Sequence, residues 1–230
     1  MVVKSRQSNA HMSTQIANYS DVIEQLPPGS TLVLSDVSWA EYEELLESVG
    51  EANTLRISYN EGTLQIITLS GPHEGYQYLI HNLVLVTSLR VKVKVLSFGS
   101  VTMRKPAKLK GVEPDISYYV QAAERVGSRM DLDFSVDPAP DIIVEVDLQH
   151  QSLSKFPIYA AFGVSEIWRY DGHSMTIYEL RDGDYLPMPS SRALPLLSSN
   201  VLTEFLARLE HEDQYEIVLA FEAWLRGRQP

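Results

Sequence analysis

The stretch Asp141-Ile142-Ile143-Val144-Glu145-Val146-Asp147 places acidic residues within a run of β-branched residues. Such a run is typical of a buried strand. Side chains alternate between the two faces of a strand, so Glu145 and Asp147 share one face, while Ile142, Val144 and Val146 share the other. Burying an unpaired carboxylate costs several kcal/mol. Glu145 is therefore predicted to be paired, protonated or bound to a metal.

A further acid, Asp115 in Glu113-Pro114-Asp115, opens the apolar run 116–120. If that run is a neighbouring strand, Asp115, Glu145 and Asp147 converge, and like charges at close range are tolerated chiefly around a cation. Oxygen ligands favour Mg²⁺ or Mn²⁺ over Zn²⁺. The pattern thus predicts a metal site. The alternative is that Asp141 and Asp147 only cap the strand ends and Asp115 only caps the turn after Pro114.

Length and composition indicate an ordinary globular protein. The 230 residues suit one domain, with or without a helical appendage, and contain no cysteine for a disulfide, a thiol nucleophile or a cysteine-ligated zinc. No apolar stretch reaches the roughly 18 residues that a bilayer span needs, and the N-terminus has no signal-peptide pattern. We therefore expect a cytoplasmic protein with no membrane partner.

Charge is distributed unevenly along the chain. The net charge of −11 argues against a protein that coats nucleic acid non-specifically, since such binding neutralises phosphates. Between Gly75 and Val112, however, there is no acidic residue, and all seven charged residues are basic: Arg90, Lys92, Lys94, Arg104, Lys105, Lys108 and Lys110. These residues are either ordinary solvated side chains or phosphate contacts next to Asp115.

The order of predicted elements indicates a mixed α/β fold with a three-layer core and a mixed sheet. Residues 1–20 are predicted to be a flexible tail, residues 21–200 the main domain, and residues 201–230 a C-terminal helical extension of that domain. Within it we predict a capped helix from Ser38 to Val49, an N-terminal hairpin over 54–68, a helix over 73–89, strands near 91–97 and 100–104, paired strands over 165–180, and helices over about 199–209 and 213–226.

A short helix is predicted from Ser154 to Gly163, because proline is tolerated in a first turn and glycine often ends a last one. It follows the acidic strand directly and carries Lys155 near its start. Lys155 is either a site residue or a solvated surface lysine. His73 and His81 could share a helix face but have no further ligands nearby in sequence. His150 lies close to the acidic strand and is either a site residue or, as we favour, an ordinary loop histidine.

Several of these motifs occur together in a familiar order. They are Gly71-Pro72-His73-Glu74, Glu113-Pro114-Asp115, the strand 140–146, Lys155 with Tyr159, and Gly163-Val164-Ser165-Glu166-Ile167-Trp168. In this order, over roughly residues 40–200, the chain resembles the Uma family of bacterial restriction endonucleases, in the PD-(D/E)XK nuclease superfamily. The resemblance implies a restriction-endonuclease-like α/β fold, DNA as partner, frequent homodimerisation and dependence on a divalent metal.

Roles carry over from the family residue by residue. Asp115 matches the first metal-binding acid, Glu145 the second, and Glu74 an auxiliary acid. The departure is in the third motif: a standard E-x-K motif has its lysine two residues after the glutamate, and this chain has Asp147 there. Lys155 is the candidate for a lysine that has migrated to the next helix.

Two classes of function follow. The first is an Mg²⁺- or Mn²⁺-dependent endonuclease that hydrolyses DNA phosphodiester bonds with Asp115, Glu145, Lys155 and Glu74. The second is a catalytically inactive nuclease-fold protein that binds metal, nucleic acid or a protein partner, which Asp147 and the net acidity favour. A metal-free dimer module using edge strands or the C-terminal helix is a further alternative.

Overall fold

The computed structural model describes residues 22–23, 25–50, 55–129, 131–148 and 152–228. The predicted tail over residues 1–20 and His150 lie outside the described residues. The chain divides into two compact units, which we describe separately. Unit 1 is Met1–Ser70 with Thr102–Glu113, and unit 2 is Gly71–Val101 with Pro114–Pro230.

Eleven strands and six α-helices are assigned in the described residues. The strands are β1 Thr31–Leu34, β2 Leu55–Asn60, β3 Thr63–Thr68, β4 Leu96–Gly99, β5 Met103–Lys105, β6 Lys110–Val112, β7 Ile116–Tyr119, β8 Ile142–Val146, β9 Glu166–Tyr170, β10 Met175–Arg181 and β11 Asp184–Met188. The helices are α1 Trp39–Val49, α2 Gly71–Val91, α3 Ala123–Val126, α4 Phe156–Phe162, α5 Ser199–Ala207 and α6 Gln214–Arg226.

Unit 1 is an antiparallel sheet in the order β1-β3-β2-β6-β5, with α1 contributing to its core. The N-terminus of α1 forms because Ser38 accepts a hydrogen bond from the Glu41 amide while the Glu41 carboxylate accepts one from the Ser38 amide. Tyr42 of α1 is fully buried and stacks on Tyr59 of β2 with ring centroids 5.0 Å apart. The predicted capping box and N-terminal hairpin are both present.

Unit 2 is built on a six-stranded mixed sheet in the order β11-β10-β9-β8-β7-β4. Strands β8 and β9 are parallel and every other pair in this sheet is antiparallel. A parallel pair needs a crossover connection, and α4 lies within it between β8 and β9. β8 therefore sits in the interior of the sheet, where both of its faces are covered.

Helices cover both faces of this sheet. Ile142, Val144 and Val146 of β8 pack in one cluster with apolar residues of α2, α5 and α6. Glu145 points to the opposite face, where it bonds to Tyr159 of α4. The helix, sheet and helix layers confirm the predicted three-layer α/β core, and the alternation within β8 is its cause.

Several boundaries differ from the predictions. α2 extends to Val91 and the next strand begins only at Leu96, so the predicted strand over residues 91–97 is wrong in its first half. α5 was predicted over residues 199–209 and ends at Ala207, and Ser198 caps its N-terminus by accepting a hydrogen bond from the Val201 amide. β11 was not predicted. Within the described ranges, no helix has both the length and the apolar character that a bilayer crossing requires.

Candidate active site

The first pair of site residues is positioned by strand register. β7 and β8 are antiparallel with Ile116 opposite Val144, so the register continues to place Asp115 opposite Glu145 on the same face of the sheet. Asp115 is buried, and its Oδ2 accepts a hydrogen bond of 2.7 Å from the backbone amide of Val146. The two acids predicted from separate motifs therefore converge in unit 2.

The lysine reaches this pair from the crossover between β8 and β9. A short 3-10 helix, Ser152–Lys155, leads directly into α4 and ends at Lys155. The Lys155 Nζ lies 2.8 Å from Oε2 and 3.1 Å from Oε1 of Glu145, and both side chains are almost fully buried. Of the two alternatives for Lys155, the solvated surface lysine is wrong, because its ammonium is buried beside Glu145.

Tyr159 completes the surroundings of Glu145. It lies four residues after Lys155, on the same face of the helical segment, and its buried hydroxyl donates a hydrogen bond to Glu145 Oε1. Burial and the neighbouring Glu145 carboxylate raise the pKa of Tyr159 well above its usual value. The hydroxyl therefore stays protonated and acts as a donor.

On the other side, His73 of α2 holds Asp115. The His73 Nε2 lies 3.0 Å from Asp115 Oδ2, and the Gln77 Nε2 lies 2.9 Å from His73 Nδ1. Because the Gln77 amide nitrogen can only donate, Nδ1 accepts and Nε2 carries the proton that is donated to Asp115. Gln77, one helical turn after His73, thus selects the tautomer that makes His73 a donor.

The hydrogen bonds of Asp147 hold the crossover segment in place. Its Oδ2 accepts hydrogen bonds from the Ser152 amide at 2.9 Å, from the Ser152 hydroxyl at 3.1 Å, and from Arg169 of β9. Ser152 begins the 3-10 helix that ends at Lys155. Asp147 therefore anchors the segment that brings the lysine to Glu145.

The electrostatics of the cluster reflect three carboxylates in a buried region. Burial raises the pKa of Glu145 to about 7, and the charges of Asp115 and Asp147 add to the rise while Lys155 opposes it. Burial also disfavours the charge on Lys155, but Glu145 and Asp115 overcome this and raise its pKa. The lysine is therefore held in its ammonium form.

The remaining sequence candidates make other contacts. Glu74 is half-buried on α2 and forms no hydrogen bond or ion pair with Asp115, Glu145 or Lys155. A step of one residue turns a helix by about 100°, so Glu74 does not share the inward face of His73. Of the basic residues, Lys94 pairs with Glu124 at 3.1 Å in unit 2, while in unit 1 Lys110 lies 3.4 Å from Glu61.

Comparison with known proteins shows which family the chain belongs to. Residues 39–210, about three quarters of the chain and including every residue of the cluster, match the Uma2 family, described as putative restriction endonuclease. The chain belongs to the Uma2 family. A solved structure of a putative nuclease belonging to DUF820 from Anabaena variabilis is 19% identical, with a TM-score of 0.47, over 74% of this chain and 99% of that one. No curated protein matches significantly.

In this Uma2 protein, the structure brings Asp115, Glu145 and Lys155 together as the motifs predicted, and adds His73, Gln77 and Tyr159. The sequence contained a signal for Tyr159, because its spacing from Lys155 places both on one helix face. The role of His73 had no such signal. It depends on the approach of the first turn of α2 to the residue before β7, which is a tertiary contact.

Proposed function

We propose that this protein is a divalent-metal-dependent endonuclease that hydrolyses phosphodiester bonds in DNA. The observation that carries the proposal is the buried cluster of Asp115, Glu145 and Lys155, in which an acid on each of two paired strands meets a lysine from the following helix. Membership of the Uma2 family, described as putative restriction endonuclease, supports nucleic acid as the substrate and DNA in particular.

The donor set suits Mg²⁺ or Mn²⁺. Among the described residues, no three His, Asp or Glu side chains form a ready-made metal centre. Mg²⁺ does not need one, because it is commonly bound through one or two carboxylates and keeps several waters. Asp115 and Glu145 would hold the ion. Burial is the main cause of the raised pKa of Glu145, but the neighbouring Asp115 and Asp147 charges add to it, and a bound cation would relieve that repulsion.

When bound, such an ion supplies an acidified water and charge relief on the scissile phosphate. The protein supplies the positions and the protons. The Lys155 Nζ lies 2.8 Å from Glu145 Oε2. In this position the ammonium can orient a water or donate a proton to a phosphate oxygen. Tyr159 fixes one oxygen of Glu145, and His73 fixes one oxygen of Asp115. Each group is held in place before the substrate arrives.

The test is a cleavage assay in Mg²⁺ and in Mn²⁺ on supercoiled, linear and single-stranded DNA. We expect the parent to cut and Glu145→Gln to lose activity by at least about 100-fold. Glu179→Gln is the matched control, since Glu179 is also a buried glutamate paired with basic side chains but bonds to Arg181 and Arg192 instead. Equal rates for the parent and Glu145→Gln would refute the proposal.

A second candidate function is binding without cleavage. Asp147 stands where a standard E-x-K motif has its lysine, and both oxygens of Glu145 already accept hydrogen bonds from Lys155. Titration with Mn²⁺ separates the two functions. If no DNA or RNA substrate is cut, while the parent binds Mn²⁺ and Glu145→Gln does not, the protein is a metal-binding module that has retained the nuclease fold.

A further inference from the structure

Arg169 of β9 lies beside the acidic strand, on the face of the sheet that carries the site. β8 and β9 are parallel with Glu145 opposite Arg169, and paired residues of neighbouring strands point to the same face. Trp168 and Tyr170, the neighbours of Arg169 along β9, pack into the apolar cluster on the other face. Arg169 is therefore one strand away from Glu145, on the same side of the sheet.

The guanidinium of Arg169 has unused hydrogen-bond donors. Its Nε donates to Asp147 Oδ2, and within the described ranges the side chain makes no other hydrogen bond. A guanidinium has five N–H donors, so the two terminal amino groups keep four, and they extend beyond the Nε. Over the part of the chain that the structure describes, the Tyr42 hydroxyl is the one buried side-chain polar atom without a partner. The unpaired nitrogens of Arg169 therefore reach solvent.

Arg169 is also more exposed than the charged residues around it. Its side chain is 14% exposed, against 3% for both Glu145 and Lys155 and 5% for Asp147. Thr176 of β10 is opposite Arg169 on the same face, is half-buried, and has a hydroxyl that makes no hydrogen bond to any described residue. Two neighbouring side chains at the edge of the site thus offer hydrogen-bond donors to a ligand.

The charge of the site favours an anion once a divalent cation is bound. Asp115, Glu145 and Asp147 are negative when ionised, while Lys155 and Arg169 are positive. The cluster alone then has one net negative charge, and a divalent cation turns this into one net positive charge. A phosphodiester group carries one negative charge and would balance it. A guanidinium suits this ligand, because two of its N–H groups can donate to two phosphate oxygens.

We propose that Arg169 binds a phosphate of the DNA backbone beside the cleavage site through its two terminal amino groups. Asp147 positions the guanidinium by accepting from its Nε, and Thr176 offers a second donor to the same phosphate. The inference rests on the proposed function, because it takes DNA as the substrate. It adds a substrate-binding residue on β9 to the groups that β7, β8 and α4 supply.

The experiment measures binding of a fluorescein-labelled DNA duplex by fluorescence anisotropy over a series of salt concentrations, with Ca²⁺ in place of Mg²⁺. Gel electrophoresis of the recovered duplex verifies that it is uncut. Arg169→Gln should weaken binding by about tenfold or more. It should also reduce the slope of log K against log salt concentration by about one, as expected for one lost phosphate contact.

Arg181→Gln is the matched control. The Nε of Arg181 also pairs with a buried carboxylate of unit 2, that of Glu179. Arg181 is five residues further along β10 than Thr176, so it lies on the opposite face of the sheet, about 16 Å away along the strand. Because the same charge is removed away from the site, this variant should leave the affinity and the salt slope unchanged.

Arg169→Lys separates phosphate binding from a purely structural role. It keeps a cation for Asp147, so its midpoint in urea should stay close to that of the parent. The lysine has a single terminal ammonium, and when this pairs with Asp147 no further donor extends beyond it. The DNA affinity of Arg169→Lys should therefore remain below that of the parent, although the protein is as stable. Circular dichroism verifies the fold of each variant.

The outcomes distinguish this inference from the proposed function. If Arg169→Lys restores both stability and full DNA affinity, Arg169 only compensates the charge of Asp147 and the inference is overturned. Equal affinity and salt slope for the parent and Arg169→Gln would also overturn it, while metal-dependent cutting by the parent would leave the nuclease proposal standing. A parent that binds no DNA would overturn both.

Discussion

Replacing Lys155 with methionine tests the charge balance of the site directly. Methionine keeps most of the length and apolar volume of the side chain and removes only the ammonium. In the parent, Lys155 lies 2.8 Å from Glu145, and its side chain is 3% exposed. In Lys155→Met, Glu145 remains buried and keeps the Tyr159 hydrogen bond, but burial and the charges of Asp115 and Asp147, which already raise its pKa, are no longer opposed by a cation.

The magnitude follows from this burial. At a pH above the raised pKa of Glu145, removing Lys155 leaves an uncompensated charge or forces Glu145 to take up a proton, which costs about 3 to 5 kcal/mol of unfolding free energy. Glu145→Gln should cost less, because Asp115 and Asp147 still act on the Lys155 ammonium and raise its pKa. Lys155→Met with Glu145→Gln should be more stable than Lys155→Met alone by about 2 kcal/mol, since no buried charge is stranded there.

The measurement is urea unfolding of the four proteins at one pH without divalent metal, followed by circular dichroism. The double-mutant cycle then gives the coupling energy between Lys155 and Glu145. The reasoning is refuted if Lys155→Met costs less than about 1 kcal/mol, or if Glu145→Gln is the more damaging single change. Either result would mean that the ammonium does not balance the carboxylates.

Three further predictions concern buried neighbours. Tyr42→Phe should raise the unfolding free energy by about 1 kcal/mol, because the buried Tyr42 hydroxyl has no hydrogen-bond partner in the described residues. A lower unfolding free energy in urea would contradict this. Gly111→Ala should lower it by about 2 kcal/mol or more, since a Cβ there would lie 2.1 Å from Tyr42 Oη, and an unchanged melting temperature would contradict this. Gln77→Met should weaken Mn²⁺ binding about 10- to 100-fold, because the proton of His73 is then no longer fixed on Nε2, where it is donated to Asp115. If ¹⁵N shifts show the proton still on Nε2 in the variant, the tautomer is not the reason for weaker binding.

Much of the site could be predicted because the alternation of side chains along a strand can be read directly from the local sequence. The alternation around Glu145 showed which face was apolar, and the structure packs that face against α2, α5 and α6. The run after Asp115 predicted a second strand, although the sequence alone could not show that the two strands are neighbours. The observed register, Ile116 opposite Val144, supplied that information.

The rest depended on contacts that no local pattern encodes. His73 and Glu74 are adjacent in a motif that opens a helix, and the family resemblance directed attention to the acid. The orientation of α2 instead turns His73 toward Asp115. Similarly, the lysines and arginines between residues 90 and 110 formed a single strip in the sequence, but their residues are divided between the two units.

Asp147 and Lys155 are linked through the crossover segment that begins at Ser152. A lysine on β8 two residues after Glu145 would need no further support, because the strand itself would hold it. A lysine on the crossover needs its segment anchored, and Asp147 provides this through Ser152 at the start of the 3-10 helix. Arg169 then pairs with Asp147, so the added acid is not left uncompensated. Asp147 and Lys155 therefore depend on each other through Ser152, and Asp147→Lys alone should disrupt the crossover and lower the free energy of unfolding measured in urea.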